Sequence, residues 1–261
     1  MSKITIRDIR DRYLVSKEEE KKFKWTYYIR RPVSYYLAWF FLKLGVSATK
    51  VTVIWLIVAA IGCLFIASGN YLNTIIGTSL LEFAVILDCV DGHIARLTRS
   101  TRVGQIMDTW TGEILLVSSL FSIGIGLSNN SGELIAGQIT KIFGAYLDNL
   151  TFLYLGFLTA LASLSSWTVR LHWRTITQKL SLTQGEPDKD LRESKKVLIL
   201  DNLFHYSGAL TIIMLVSAIS RALDVFLIVF SIIVGVYLIG IMYRILRKAR
   251  SLESDGTEEE W

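Results

Sequence analysis

The chain has 261 residues, 52% of them hydrophobic and 20% charged, with a mean hydropathy of +0.44. Soluble domains of this size run nearer a quarter charged, and here the apolar excess is gathered into runs long enough to cross the roughly 30 Å of a bilayer's hydrocarbon layer. This excludes an ordinary soluble globule, a disordered chain and a nucleic-acid module, so the net charge of +5 carries information through its placement.

In chain order, residues 1–31 read as a basic cytoplasmic arm with no apolar stretch before residue 37, and no cleavable leader is expected. The segment PVSYYLAWFFLKLG at 32–45 suits an amphipathic helix at the membrane interface, with Tyr35, Tyr36, Trp39 and Phe40 at headgroup depth beside Lys43. Six spans are expected: about 51–69; 72–97, apolar until Asp88 and Asp91; 106–127; one ending the apolar stretch 134–169; 204–220; and 223–243. They define an all-α integral membrane protein with a membrane domain at 32–247, a hydrophilic cytoplasmic loop at 171–203 and an acidic tail at 248–261. Basic residues gather after the second, fourth and sixth spans, whereas the opposite connections read SGNY, SNNSGE and SR. The positive-inside rule then puts both termini in the cytoplasm. Cys63 and Cys89 fall inside apolar segments, which argues against a disulfide framework. Trp55, Trp167 and Tyr243 read as interface anchors.

Charged residues inside membrane segments cost at least about 2.5–3.5 kcal/mol each, so Asp88, Asp91 and Asp108 require an explanation. The first two lie three apart and share a helix face. Asp108 opens the next span across a short connection, so three carboxylates from two neighbouring antiparallel helices are expected at one membrane–cytosol boundary. Such like charges repel unless a cation holds them, and oxygen-only ligands select a hard divalent ion rather than zinc. Pairing with Arg96, Arg99 and Arg102 at the helix ends is the structural alternative.

The string Asp88-Cys-Val-Asp91-Gly92-His-Ile-Ala95-Arg96, followed after seven residues by Gly104-Gln-Ile-Met-Asp108, resembles the signature of the CDP-alcohol phosphotransferases, integral-membrane enzymes of phospholipid headgroup attachment. The resemblance implies transfer of a phosphoryl-alcohol group, most simply phosphatidyl, from a CDP-linked lipid to a polar acceptor with release of CMP. It implies Mg²⁺ or Mn²⁺ on Asp88, Asp91 and Asp108, and a nucleotide held at Gly92, Ala95, Arg96, Gly104 and Thr52. Membrane lipids and a second copy of the chain, as a homodimer, are the partners it implies. Gly92 and Ala95 are equally the small residues that membrane helices use to pack closely. Transfer from a soluble CDP-alcohol to a lipid or glycan, and a catalytically impaired nucleotide-binding scaffold, are the alternative functions.

Two departures from the pattern stand out. The connector from Arg96 to Gly104 is one residue short, and Gly112 replaces the fourth aspartate, which the resemblance makes the general base. Glu113 or His93 could supply the base, the acceptor could arrive ionised, or the chain could bind without turnover. One residue rotates a helix by about 100°, so Glu113 reaches the site only if residues 110–112 unwind. His93 is as well explained as a helix-end histidine at the headgroups. An anionic acceptor or lipid phosphate is expected at Arg170, Arg174, Lys195, Lys196 and His205.

Overall fold

A computed structural model of the chain describes residues 5–16, 23–98, 102–129, 149–184 and 208–254. All regular structure among these residues is helical. Helix α1 spans Ile6–Ser16, and a wide π-type turn at Thr26–Arg30 runs straight into α2, Arg31–Lys43. The remaining helices are α3 (Ala48–Ala67), α4 (Tyr71–Leu97), α5 (Arg102–Asn129), α6 (Asn149–Gln184), α7 (Leu210–Ile219) and α8 (Leu223–Ser254).

Among the described residues, four helical stretches are long and apolar enough to cross a membrane: Ala48–Ala67, Trp110–Asn129, Leu150–Trp173 and Leu223–Arg250. The other two expected spans differ for separate reasons. Helix α4 has the length, about 40 Å for its 27 residues, but carries Glu82 as well as Asp88, Asp91, His93 and Arg96, so it is not apolar until Asp88. Helix α7 is apolar but has only ten residues, about 15 Å. The proposed hydrophilic loop at 171–203 also needs correcting, because α6 stays helical through Gln184. Residues 185–203 lie outside those described.

The packing is that of membrane helices, where small residues bring backbones together. Gly69, at φ +73°, turns α3 back onto α4. The two helices then cross at Gly62 and Gly77, where a β-carbon on Gly77 would stand 2.5 Å from the Gly62 carbonyl oxygen. Helices α5 and α6 cross in the same way at Gly124 and Gly156. Helix α3 packs against both α4 and α5, while direct contact between α4 and α5 is slight among the described residues. The expectation that the two signature helices are immediate neighbours is therefore modified: α3 stands between them. Trp55, Leu81, Leu120, Ile123 and Phe230 fill the interior, whereas Leu64, Ile232, Val236 and Ile239 face outward in the pattern of a lipid-facing surface.

Helix α1 lies within the segment 1–31 that is expected to be an arm, and gives that arm regular structure over Ile6–Ser16. Thr5 and Asp8 cap it reciprocally: the Thr5 N–H and hydroxyl donate to Asp8 Oδ2 at 2.8 and 2.7 Å, and the Asp8 N–H donates to Thr5 Oγ1 at 3.2 Å. Ile6, Ile9 and Tyr13 form its inner stripe, packed on α2 and α4, while Arg7, Arg10, Asp11 and Arg12 face out.

Candidate active site

The last three turns of α4 carry most of the signature, and α3 fixes its central carboxylate. Asp91 is buried, and its Oδ2 accepts from Thr52 Oγ1 at 2.7 Å and from Trp55 Nε1 at 3.0 Å. Thr52 and Trp55 lie three apart and thus on one face of α3. Trp55 is fully buried, which corrects its reading as an interface anchor: the indole is a hydrogen-bond donor to the motif. Thr52 reaches Asp91 directly and orients its carboxylate.

Asp88 lies one turn before Asp91 and is partly exposed. Gly104 and Asp108 lie on the first turns of α5, and the side chain of Asp108 is outside those described. Among the described residues no three acidic, histidine or cysteine side chains form a metal cluster. The donor chemistry still fits a hard divalent cation: two carboxylates share a helix face, and the plane of one is locked by two neutral donors.

His93 is almost wholly buried, and both ring nitrogens are engaged. An Arg96 Nη2–H can only donate, so His93 Nδ1 accepts it at 3.1 Å; the ring proton then sits on Nε2 and is given to Ser34 Oγ at 3.0 Å. Ser34 passes its own proton to the Arg31 carbonyl at 2.8 Å. In this arrangement both ring nitrogens of His93 are engaged by protein groups, Nδ1 by Arg96 and Nε2 by Ser34. The Arg96 guanidinium folds back over Gly92, where a β-carbon would meet its nitrogens at 3.5 Å. Ala95 is half-buried on the same turn.

Helix α5 is continuous from Arg102 to Asn129, and Thr111 Oγ1 donates to the Met107 carbonyl at 2.6 Å across the turn in question. The unwinding that would bring Glu113 round to the position of Gly112 is absent. Glu113 instead has Arg170 of α6 as its charged neighbour. Arg170 donates to the Ser166 carbonyl at 3.3 Å and lies over the Tyr237 ring of α8 at 5.6 Å, so it is turned into the bundle. The side chain of Arg174, and Lys195, Lys196 and His205, are outside the described residues.

A second polar cluster went unread in the sequence. Arg30 is completely buried, and its Nε and Nη2 donate to Glu82 Oε1 and Oε2, each at 2.8 Å. Trp25 Nε1 adds a bond to Oε1 at 3.2 Å, the Thr211 hydroxyl donates to Oε2, and Arg30 Nη2 reaches Thr211 Oγ1 at 2.7 Å. The segment before α2 is thereby tied to α4 and α7. A glutamate in the middle of an otherwise apolar span was the available signal.

The geometry defines a helical membrane protein whose acidic motif sits at the end of one helix and is braced by the next. Residues 45–136, which contain α3, α4 and α5 entire, match the model of the CDP-alcohol phosphatidyltransferase family, and this match supports the resemblance carried by the motif. Members transfer a phosphoalcohol group from a CDP-alcohol to an alcohol acceptor in phospholipid synthesis and generally depend on a divalent metal. No individual curated protein matches the chain.

Proposed function

We propose that the chain transfers a phosphatidyl-type group from a CDP-linked lipid to a polar acceptor, with release of CMP, at a site on the cytoplasmic side of a six-span bundle. The observation that carries this reading is Asp91, a buried carboxylate aimed by Thr52 and Trp55 within the family-matched helices. Helices α4 and α7 stand at the two remaining expected crossings, α4 with its polar groups turned into hydrogen-bonded contacts. Helix α2 lies at the interface, exposing Val33, Tyr36 and Phe40 towards lipid. In this reading both termini are cytoplasmic, which the positive-inside distribution of the basic clusters supports.

In this reading Asp88, Asp91 and Asp108 hold Mg²⁺ or Mn²⁺. When bound, the ion neutralises charge developing on the diphosphate and on the CMP leaving group. Thr52 and Trp55 keep the Asp91 carboxylate in its receiving orientation, and Gly92 with Ala95 leaves room for the nucleotide beside Arg96. An oxygen of the acceptor bonds to the phosphorus that carries the lipid alcohol, and the P–O bond to CMP breaks, its electron pair leaving with CMP. At position 112 there is no carboxylate to take a proton, and continuous α5 holds Glu113 elsewhere. An acceptor that brings an ionised phosphate or carboxylate oxygen fits this site better than a neutral alcohol.

The test is CMP release by the purified full-length protein in mixed micelles of CDP-diacylglycerol with Mg²⁺ or Mn²⁺ and a panel of polar acceptors. Metal-dependent CMP release that Asp91→Asn abolishes is expected. Release only from water-soluble CDP-alcohols would move the donor assignment, and CDP binding without release from any donor would make the protein a scaffold. An Asp91→Asn variant as active as the parent would refute the metal site.

A further inference from the structure

We infer that Tyr13 of α1 is a positioning residue for the nucleotide site, holding the Arg96 guanidinium in place over Gly92 for the diphosphate of the donor. The inference rests on the proposed nucleotide reading and adds an element outside the family-matched residues 45–136.

The Tyr13 ring is fully buried, although it belongs to a short helix at the margin of the fold. Two guanidinium groups lie over it, with Arg31 Cζ 4.7 Å and Arg96 Cζ 5.5 Å from its centroid. The His93 ring meets it edge-on at 5.4 Å and Tyr35 packs at 6.1 Å. Two like charges gathered round one ring repel, and the negative ring face is what lets them share the space. Arg96 is thus held by two constraints, the ring of Tyr13 and the bond to His93 Nδ1, while its fork lies over Gly92. Gly92 belongs to the signature, so the fork that α1 immobilises lies on the motif itself.

A guanidinium already fixed in place loses little freedom when it takes a phosphate. Removing the ring while filling its volume should therefore weaken nucleotide binding with little change in the fold. The groups around the ring include Arg31, Arg96, His93 and Tyr35, and no side chain of α1 need touch the ligand.

The experiment measures CDP affinity of the full-length protein in detergent with Mg²⁺, by calorimetry, for the parent, Tyr13→Leu, Tyr13→Phe, Arg96→Ala and the double variant Tyr13→Leu/Arg96→Ala. Tyr13→Leu is expected to bind about tenfold more weakly and Tyr13→Phe to stay within about threefold of the parent, since the phenyl face keeps the cation–π contact. In the Arg96→Ala background, Tyr13→Leu should have no further effect, because the two residues act as one unit. Equal affinity of parent and Tyr13→Leu, or an undiminished effect of Tyr13→Leu without Arg96, would overturn the inference while leaving the nucleotide reading intact. A parent that does not bind CDP would refute both. Melting temperatures of the same variants separate loss of fold from loss of positioning.

Discussion

Replacing Arg30 by methionine tests the buried cluster that ties the N-terminal segment to α4 and α7. The change removes both guanidinium bonds to Glu82 and the bond to Thr211, and leaves a glutamate whose side chain is only 13% exposed. Stranding one member of a buried ion pair costs about 3–5 kcal/mol. Glu82 retains the Trp25 and Thr211 donors, which places the expected loss at the lower end, about 3 kcal/mol. For a chain of this size that corresponds to a melting temperature lower by roughly 6–12 °C. The double variant Arg30→Met/Glu82→Met removes both charges, fills the volume with apolar atoms and should recover most of the loss. Thermal unfolding in detergent, followed by the fraction that remains monodisperse on a sizing column, reads the difference. A shift below about 2 °C for Arg30→Met, or a double variant no better than the single, would show that the pair is not buried in the way described.

Gly77→Ala should be destabilising despite alanine's higher helix propensity, because its β-carbon would meet the Gly62 carbonyl oxygen and the Ile66 backbone nitrogen at 2.5 and 2.9 Å. Helices α3 and α4 must part to relieve those contacts, at about 1–3 kcal/mol, and unchanged melting would contradict the crossing. Gly112→Asp should raise CMP release with neutral hydroxyl acceptors at least about tenfold if a missing base limits them, and a flat response would remove that explanation. The two Thr5 hydrogen bonds, first that of the hydroxyl and then that of the N–H, hold the Asp8 carboxyl below its ordinary 3.8. Its contribution to α1 is therefore complete above 3.8 and is lost as the pH falls through the lower folded value. Hydrogen exchange in α1 should accelerate in that acid range, and Asp8→Asn should flatten the dependence; an unchanged profile in Asp8→Asn would refute the assignment.

The sequence revealed most of the bundle because helices in lipid must satisfy their own backbone and so announce themselves as apolar runs. The boundaries at 51–69 and 72–97 fall within a few residues of Ala48–Ala67 and Tyr71–Leu97. What stayed hidden depended on pairing across helices. Trp55 and Thr52 look like ordinary residues of an apolar helix until Asp91 is placed beside them. Glu82 was overlooked because its partner Arg30 lies in a segment that reads as a soluble arm. The signature supplied Asp91, Gly92 and Arg96 by residue type and spacing, whereas the burial of His93 depends on Ser34, Tyr35 and Tyr13, which no motif connects. Helix α6 ran past its apolar run because polar residues at its end continue a helix as readily as they form a loop.

The π-type turn before α2 closes on a bond from the Arg31 N–H to the Thr26 carbonyl, five residues back. That surplus residue works as a phase shifter. It sends Arg30 to Glu82 and Thr211, while its immediate successor, Arg31, turns to the Cys89 carbonyl at 3.4 Å and to the Tyr13 ring. Excising one residue from Thr26–Arg30 would restore an ordinary turn and swing everything upstream by about 100°, disengaging Trp25 from its acceptor while α2 and the helices beyond keep their register. The amino-terminal stretch is geared to the bundle through this one irregular turn, so a length change of a single residue there alters the meshing of the whole arm.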